Sequence, residues 1–282
     1  MEISVLQWNI LADHLSGNSP TLGDFDNVTA DMLDWNTRKA KIIATITNFW
    51  PHIIALQECD HFDELADELY NYKGYLAIKP ASSPEGICLF VKNDDECIVD
   101  VCKCITFTYM DYKGQPTNQP AIIIHIKLTN KENLIIATTH LKATKTAEGE
   151  AIRRHQMEQL LSHIKRIKPS EDTPVILLGD LNSMPVFDSV VGQPLTYETM
   201  TNSDLRLTSV FDVTLPTTIK SRKGHLTSRC IDYIMYSNVS VKDSDHGYYD
   251  LTQTPKLGDN IQISEGWPSD HAYLYAVFNL QE

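Results

Sequence analysis

The sequence lacks the marks of several protein classes, and each absence removes one. Its six cysteines (Cys59, Cys88, Cys97, Cys102, Cys104 and Cys230) contain no Cys-x-x-Cys pair of the zinc-binding type. Cys102 and Cys104 alternate within a strand-like run, and buried thiols are the expectation there. No apolar run approaches the ~20 residues that span a bilayer, and no long hydrophobic loop suggests a membrane partner. The chain opens directly in a strand pattern, without a basic leader or an amphipathic transit segment. A soluble, reduced, cytoplasmic protein is expected, and a nuclear or organellar setting fits the same features. Basic charge is scarce too: 24 Lys and Arg stand against 37 Asp and Glu, a net charge of -13. Such a balance repels polyanions at long range, so a nucleic-acid partner requires a locally basic or metal-loaded cleft. No DNA-binding motif and no aromatic-interleaved RNA-binding motif is present, nor is there a fixed repeat or a dividing linker. One catalytic domain over residues 1–282 is expected.

What is present is a mixture of short apolar strands and amphipathic helices. Strands are expected at Ile3 to Trp8, Ile53 to Leu56, Gly74 to Ile78, Ile87 to Lys92, Cys97 to Tyr109, Ala121 to Leu128, Leu134 to Thr139 and Val175 to Leu178. Further strands are expected at Cys230 to Tyr236, Val239 to Lys242 and Tyr273 to Phe278. A helix capped by Asn36 runs toward Pro51 with Ala40, Ile43, Ile46 or Thr47, and Trp50 at helical spacing. Phe62, Leu65, Ala66 and Leu69 form a second stripe, and Glu148 to Ile167 a third helix. Asp13 to Asp34, with Gly17, Pro20 and Gly23, reads as a long loop or lid. Strands cluster in both halves, which favours two mainly antiparallel mixed sheets packed face to face with helices outside.

Polar residues then stand where these strands end: Asn9; Glu58; His140 with Lys142; Asp180 with Asn182; Asp232; and Asp270 with His271. Each has an ordinary reading alone. Gly179-Asp-Leu-Asn182, for instance, is common Asx-turn chemistry after a strand. Together, strand ends on one rim are where functional groups collect. Oxygen donors without thiolates suit Mg²⁺ or Mn²⁺, with Glu58 the first choice of ligand. His271 needs an orienting acceptor, and Asp232 is the best candidate. Asp180 is left to position or deprotonate a water, and Asn9, Asn182, His140 and Lys142 to bind phosphoryl oxygens.

The ordered set Leu6-Gln-Trp-Asn-Ile-Leu-Ala12, Leu56-Gln-Glu58, Thr139-His-Leu-Lys-Ala143, Gly179-Asp-Leu-Asn182, Ile231-Asp-Tyr233 and Ser269-Asp-His271 resembles the endonuclease/exonuclease/phosphatase superfamily, and within it the nocturnin-like deadenylases. The resemblance runs from about Val5 to Phe278. It implies a four-layer α/β sandwich and metal-dependent phosphoester hydrolysis. By position, Glu58 is the metal ligand with Asn9 beside it. Asp180 and Asn182 handle the nucleophile and the phosphate, His140 and Lys142 contact phosphate, and Asp232 supports His271. Asp270 serves a second metal or the network. Lys79-Pro80 and Gly86-Ile-Cys-Leu-Phe90 resemble parts of a substrate pocket. Thr144 departs from the pattern, because such chains usually carry an arginine there and a hydroxyl lacks its bidentate grip.

Relatives with this core act on poly(A), on 2′,5′-linked oligoadenylate or on the 2′-phosphate of NADP(H). The leading expectation is a 3′-5′ exoribonuclease or phosphodiesterase releasing AMP from a nucleotide or an RNA 3′ end. The alternatives are an NADP(H) 2′-phosphatase and, in another class, a non-catalytic nucleotide-binding adaptor. Basic clusters at Lys220 to Arg229 and at Arg153-Arg154 are candidate phosphate contacts, Arg229 among them, with exposed basic loops the competing reading.

Overall fold

The computed structural model describes residues 1–17, 25–26, 28–80, 84–93, 96–247, 263–264 and 267–280. In chain order the first half comprises β1 (Glu2–Asn9), α1 (Asp13–Ser16), α2 (Ala30–Leu33), α3 (Trp35–Phe49), β2 (Ile53–Cys59), α4 (Phe62–Glu68), β3 (Tyr72–Ile78), β4 (Gly86–Lys92), β5 (Ile98–Met110), β6 (Pro116–Leu128) and β7 (Asn133–His140). The second half comprises α5 (Ala147–Ile167), β8 (Val175–Asp180), α6 (Leu195–Thr201), β9 (Thr208–Ser209), β10 (Thr218–Arg222), β11 (His225–Arg229), β12 (Asp232–Ser237), β13 (Ser240–His246), β14 (Ile263–Ser264), β15 (Trp267–Pro268) and β16 (Leu274–Asn279).

Two six-stranded sheets organise these pieces, one in the order β13-β16-β1-β2-β4-β3 and the other β5-β6-β7-β8-β12-β9. Within them only β1 with β2 and β7 with β8 run parallel; the remaining neighbours are antiparallel. Alternation along each strand explains the layering. Ile3 and Val5 of β1, Ile53 and Ala55 of β2, Leu134 and Ile136 of β7, and Ile176 and Leu178 of β8 share the core between the sheets. Their neighbours point outward. Leu6 and Trp8 pack with Ile42 and Ile46 of α3, whereas Ile135 and Leu177 pack with Met157 and Leu160 of α5. Both faces of the central strands are covered, so they read as continuous apolar runs, and the expected four-layer sandwich is the observed one.

The structure corrects several local expectations. The cap of α3 is Asp34, whose side chain accepts from Thr37 N, and the helix starts before Asn36. Its buried face is Trp35, Arg38, Ile42 and Ile46, while Ala40 and Thr47 are exposed. Arg38 disguised that face. It is fully buried, and its Nη1 donates to the carbonyls of Ile10, Leu11 and Pro268 at 2.9, 2.8 and 3.3 Å. Cys102 and Cys104 are exposed because β5 is an edge strand whose register shifts break the in-out alternation. All six cysteines are free thiols. The expected lid holds two helices, α1 and α2, while its Pro20 and Gly23 lie outside the described residues. The basic stretch at 220–229 belongs to the hairpin β10-β11. Its turn is made by Lys223 and Gly224, both left-handed (φ 51° and 74°), as a tight two-residue turn requires.

Candidate active site

The two parallel pairs determine where the site lies. β1, β2, β7 and β8 all finish at one rim, where the antiparallel β12 begins with Asp232 opposite Asp180. The inward face of each strand changes there from apolar to polar. On β1, Ile3 and Val5 give way to Gln7 and Asn9; on β7, Leu134 and Ile136 give way to Thr138 and His140; on β8, Ile176 and Leu178 give way to Asp180. Glu58 needs a special backbone, since simple alternation from Gln57 would turn it outward. A bulge between Gln57 and Cys59 and a left-handed φ of 56° at Glu58 re-aim the residue. Asn182 is left-handed as well, with φ 50°.

Asn9 joins the carboxylates of the two sheets, its Nδ2 donating to Glu58 Oε1 and to Asp180 Oδ2 at 3.0 Å each. Its Oδ1 accepts from Leu11 N at 3.1 Å, and Glu58 Oε2 accepts from Ala12 N at 3.2 Å. Two imidazoles face the shared Asp180 oxygen: His140 Nε2 at 3.5 Å and His271 Nε2 at 4.0 Å. His271 Nδ1 in turn donates to Asp232 Oδ2 at 2.8 Å, the partnership expected from the sequence. Asp180 Oδ1 accepts from Asn182 N at 2.9 Å, so the Asx turn and the site coexist, and Asn182 Nδ2 donates to Leu141 O at 3.1 Å. Asp270 sits 3.9 Å from His271 Nε2 through Oδ1, while its Oδ2 pairs with Lys220 and Arg222 of the β10-β11 hairpin.

These contacts set the protonation states. Burial pushes His271 down, but Asp232, Asp270 and Asp180 outweigh it and hold the ring at about 9, an imidazolium at neutral pH. Burial lowers His140, against the pull of Asp180. Asp180 is raised, first by burial and then by the charge of Asp232, with His140 and His271 opposing. Glu58 ends below the ordinary range because His140, His271 and the Asn9 amide together exceed its burial cost. A raised carboxylate is a better proton acceptor, so Asp180 and Glu58 are placed in different roles by their surroundings.

The donor set fits a hard divalent cation. Asp180 and Asp232 are buried and Glu58 is half-buried, with one imidazolium among the three carboxylates, and His140 Nδ1 is buried without a protein partner. Donor atoms of Asp180, Asp232 and His271 lie within 4.8 Å of one another. The 2.8 Å hydrogen bond inside that trio already engages His271 and Asp232, and Glu58 is a further carboxylate that could hold an ion.

The structure therefore brings Asn9, Glu58, His140, Asp180, Asn182, Asp232, Asp270 and His271 together. Lys79 stands beside them in an ion pair with Glu85, close enough for its charge to lower His140. Lys142 lines a neighbouring cavity, and Arg229 is turned to Met184 Sδ and Asp188. Arg153 is corrected outright: it is fully buried, pairs with Glu150, and donates to the carbonyls of Lys142 and Thr144 at 2.8 and 2.7 Å. Arg154 pairs with Glu158 on the surface. Gln7 and Thr217 escaped the sequence reading. Gln7 Nε2 donates to Gln57 Oε1 at 2.6 Å, and Thr217 Oγ1 donates to Asp232 Oδ2 at 2.6 Å. The parity of Gln7 with Asn9 on β1 was a usable signal; Thr217 in a polar loop carried none.

A model of the endonuclease/exonuclease/phosphatase family matches residues 6–271, from β1 through His271. The chain belongs to the endonuclease/exonuclease/phosphatase family. Nocturnin of Rattus norvegicus is 29% identical over 301 residues, covering 99% of this chain and 66% of that protein. Nocturnin of Drosophila melanogaster is 29% identical over 325 residues, covering 99% and 47%. The chain thus spans just under two thirds of the rat relative and about half of the fly one. Among solved structures, the human Nocturnin catalytic domain with bound sulfate matches with a TM-score of 0.75 and 27% identity, covering 99% of this chain and 94% of that one. ANGEL2, a 2′,3′-cyclic phosphatase in complex with adenosine-2′,3′-vanadate, has a TM-score of 0.79 at 18% identity, covers 100% and 96%, and shares the fold. This family groups hydrolases of phosphoester bonds.

Proposed function

We propose that the chain, acting as one catalytic domain, is a Mg²⁺-dependent phosphohydrolase of adenine-nucleotide phosphoesters. The leading reading is a 3′-5′ exoribonuclease or phosphodiesterase that releases AMP, with Mn²⁺ able to replace Mg²⁺. The observation that carries it is the Asn9 amide holding Glu58 and Asp180 together at 3.0 Å each, with two imidazoles facing the Asp180 oxygen. Glu58 would hold the cation with Asn9 beside it, and Asp270 would serve a second ion or the network. When bound, the cation would stabilise charge developing on a phosphoryl oxygen.

The chain's own residues do the rest. Asp180, its carboxylate raised by burial, orients a water and takes its proton at Oδ2. His271, kept as imidazolium by Asp232, donates hydrogen bonds to the phosphoryl group as negative charge grows. His140, Asn182, Lys142 and Lys79 bind the phosphate, and Arg229 adds positive charge at the rim. That the human Nocturnin domain binds a sulfate and ANGEL2 an adenosine vanadate supports a substrate with an oxyanion and an adenosine. Six free cysteines support action in a reducing compartment, the cytoplasm in this reading.

A second reading, NADP(H) 2′-phosphatase, is favoured by the net charge of -13, which suits a short soluble nucleotide better than a long polyanion. Purified protein with Mg²⁺ or EDTA, offered a 3′-polyadenylated RNA, 2′,5′-oligoadenylate and NADPH, separates these readings. Stepwise AMP release supports the first, and the faster linkage names the nuclease. Phosphate release from NADPH alone supports the second. Tight nucleotide binding without metal-dependent turnover of any of them would overturn both in favour of an adaptor.

A further inference from the structure

A cavity of about 310 Å³ lies between the β5-β6 hairpin and α5, lined by Tyr112, Gln119, Lys142, Ile152, His155 and Gln156 among others. Three features make it a built site. The Tyr112 and His155 rings stack at 4.4 Å and 23°, and the Tyr112 hydroxyl donates to Ala151 O at 2.7 Å, so an exposed tyrosine is held in a fixed orientation on a half-buried histidine. Gln156 is fully buried; its Oε1 accepts from Lys142 N at 3.1 Å and its Nε2 donates to Gln119 Oε1 at 3.0 Å, fixing two amides at the wall. Ile152 supplies an apolar surface on α5. Rigid aromatic and apolar walls with a few amide groups and one cation suit a planar heterocycle on a sugar phosphate.

Position links this cavity to the candidate active site. Lys142 follows His140 by two residues, which along extended chain is about 7 Å, room for one phosphoester linkage. The backbone between them is pinned on the α5 side, because Arg153 Nη1 donates to Lys142 O at 2.8 Å. The Asp111 carboxylate, also in the lining, has one oxygen taken by the backbone of Lys113 and Gln115 at 2.8 Å each.

We propose that this cavity seats a second nucleoside of the substrate, with Lys142 on the phosphate that connects it to the adenosine at the reacting rim. The inference rests on the nucleotide phosphohydrolase reading and narrows it: the preferred substrate carries at least two nucleosides. A neighbouring adenosine of a strand and the nicotinamide riboside of a dinucleotide share the required chemistry.

The test is calorimetric titration of Asp180→Ala protein, with Mg²⁺, by AMP, adenylyl-3′,5′-adenosine and NADPH, with and without Tyr112→Ala or His155→Ala. Loss of one base stack predicts roughly tenfold weaker binding of a two-nucleoside ligand relative to AMP. Loss confined to adenylyl-adenosine identifies a strand subsite, and loss confined to NADPH a dinucleotide one. Equal weakening of AMP, or unchanged binding of both two-nucleoside ligands in correctly folded variants, overturns the proposal. Wild-type protein that binds adenylyl-adenosine through Tyr112 and His155 yet never cleaves it would sink the hydrolytic reading and leave the subsite standing.

Discussion

His271 Nδ1 lies 2.8 Å from Asp232 Oδ2, and this contact joins the segment leading into β16 of one sheet to the first residue of β12 in the other. It holds the imidazole with Nε2 toward Asp180 and, with the charges of Asp270 and Asp180, raises its pKa to about 9 against burial. An activity that needs the imidazolium should fall as the pH rises through about 9. Asp232→Asn should lower kcat and move that alkaline limb down toward 6.5, the ordinary value. An unmoved limb in a folded variant would show that His271 is not the group titrating.

The same pKa has a consequence for stability, measured in EDTA. The folded state binds the His271 proton more tightly than the unfolded chain. Its contribution is therefore fully present below about 6.5 and is lost as the pH rises to about 9. Urea midpoints of wild type should drop across that window more than those of His271→Gln. Parallel curves would contradict the sign.

Removing the metal should be visible without turnover. A cation bound to the native state raises its stability by mass action, so Mg²⁺ should raise the wild-type melting temperature and EDTA reverse the rise. Glu58→Gln should abolish most of the shift, whereas Lys165→Gln, on the far surface, should keep it. An unchanged shift in Glu58→Gln would place the ion elsewhere.

Arg153 and Glu150 are a buried pair, with Glu150 Oε1 also accepting from Ser183 Oγ and Thr196 N at 2.8 Å each. Arg153→Met leaves a carboxylate unpaired in the interior and should cost about 3–5 kcal/mol. Denaturant unfolding checks this; a cost under about 1 kcal/mol would mean that Glu150 is neutral when unpaired.

Thr144 is exposed at the start of α5, one residue from Lys145, whose ammonium is lowered to about 8 by burial and then by the charges of Arg229, Lys220 and Arg222. That crowding of cations suits an anion. Thr144→Arg should tighten binding of a multiply phosphorylated dinucleotide; titration showing no gain would remove this account of the position.

Much of the arrangement was readable because strands buried on both faces have little freedom in sequence, and a polar residue at the end of such a strand is conspicuous. Asn9, Glu58, His140 and Asp180 stood out for that reason. Arg38 and Arg153 did not: Arg38 satisfies its guanidinium on carbonyls of distant segments, and Arg153 on carbonyls of the loop that leads into its own helix. No helical periodicity distinguishes such an arginine from a surface one. The exposure of Cys102 and Cys104 depended on bulges in an edge strand, and the placing of Lys220 and Arg222 on Asp270 depended on how a hairpin folds back. Contacts of that kind belong to tertiary structure and leave no local mark.

The central claim is that Asp180 activates a water at a metal-dependent phosphoester site. Its most direct test is single-turnover AMP release from a short 3′-adenylate by wild-type and Asp180→Ala protein, each with Mg²⁺ and with EDTA. The account predicts Mg²⁺-dependent release by wild type and a fall of at least roughly 10²–10³ in the variant. A folded Asp180→Ala protein cleaving at near wild-type rate would contradict it.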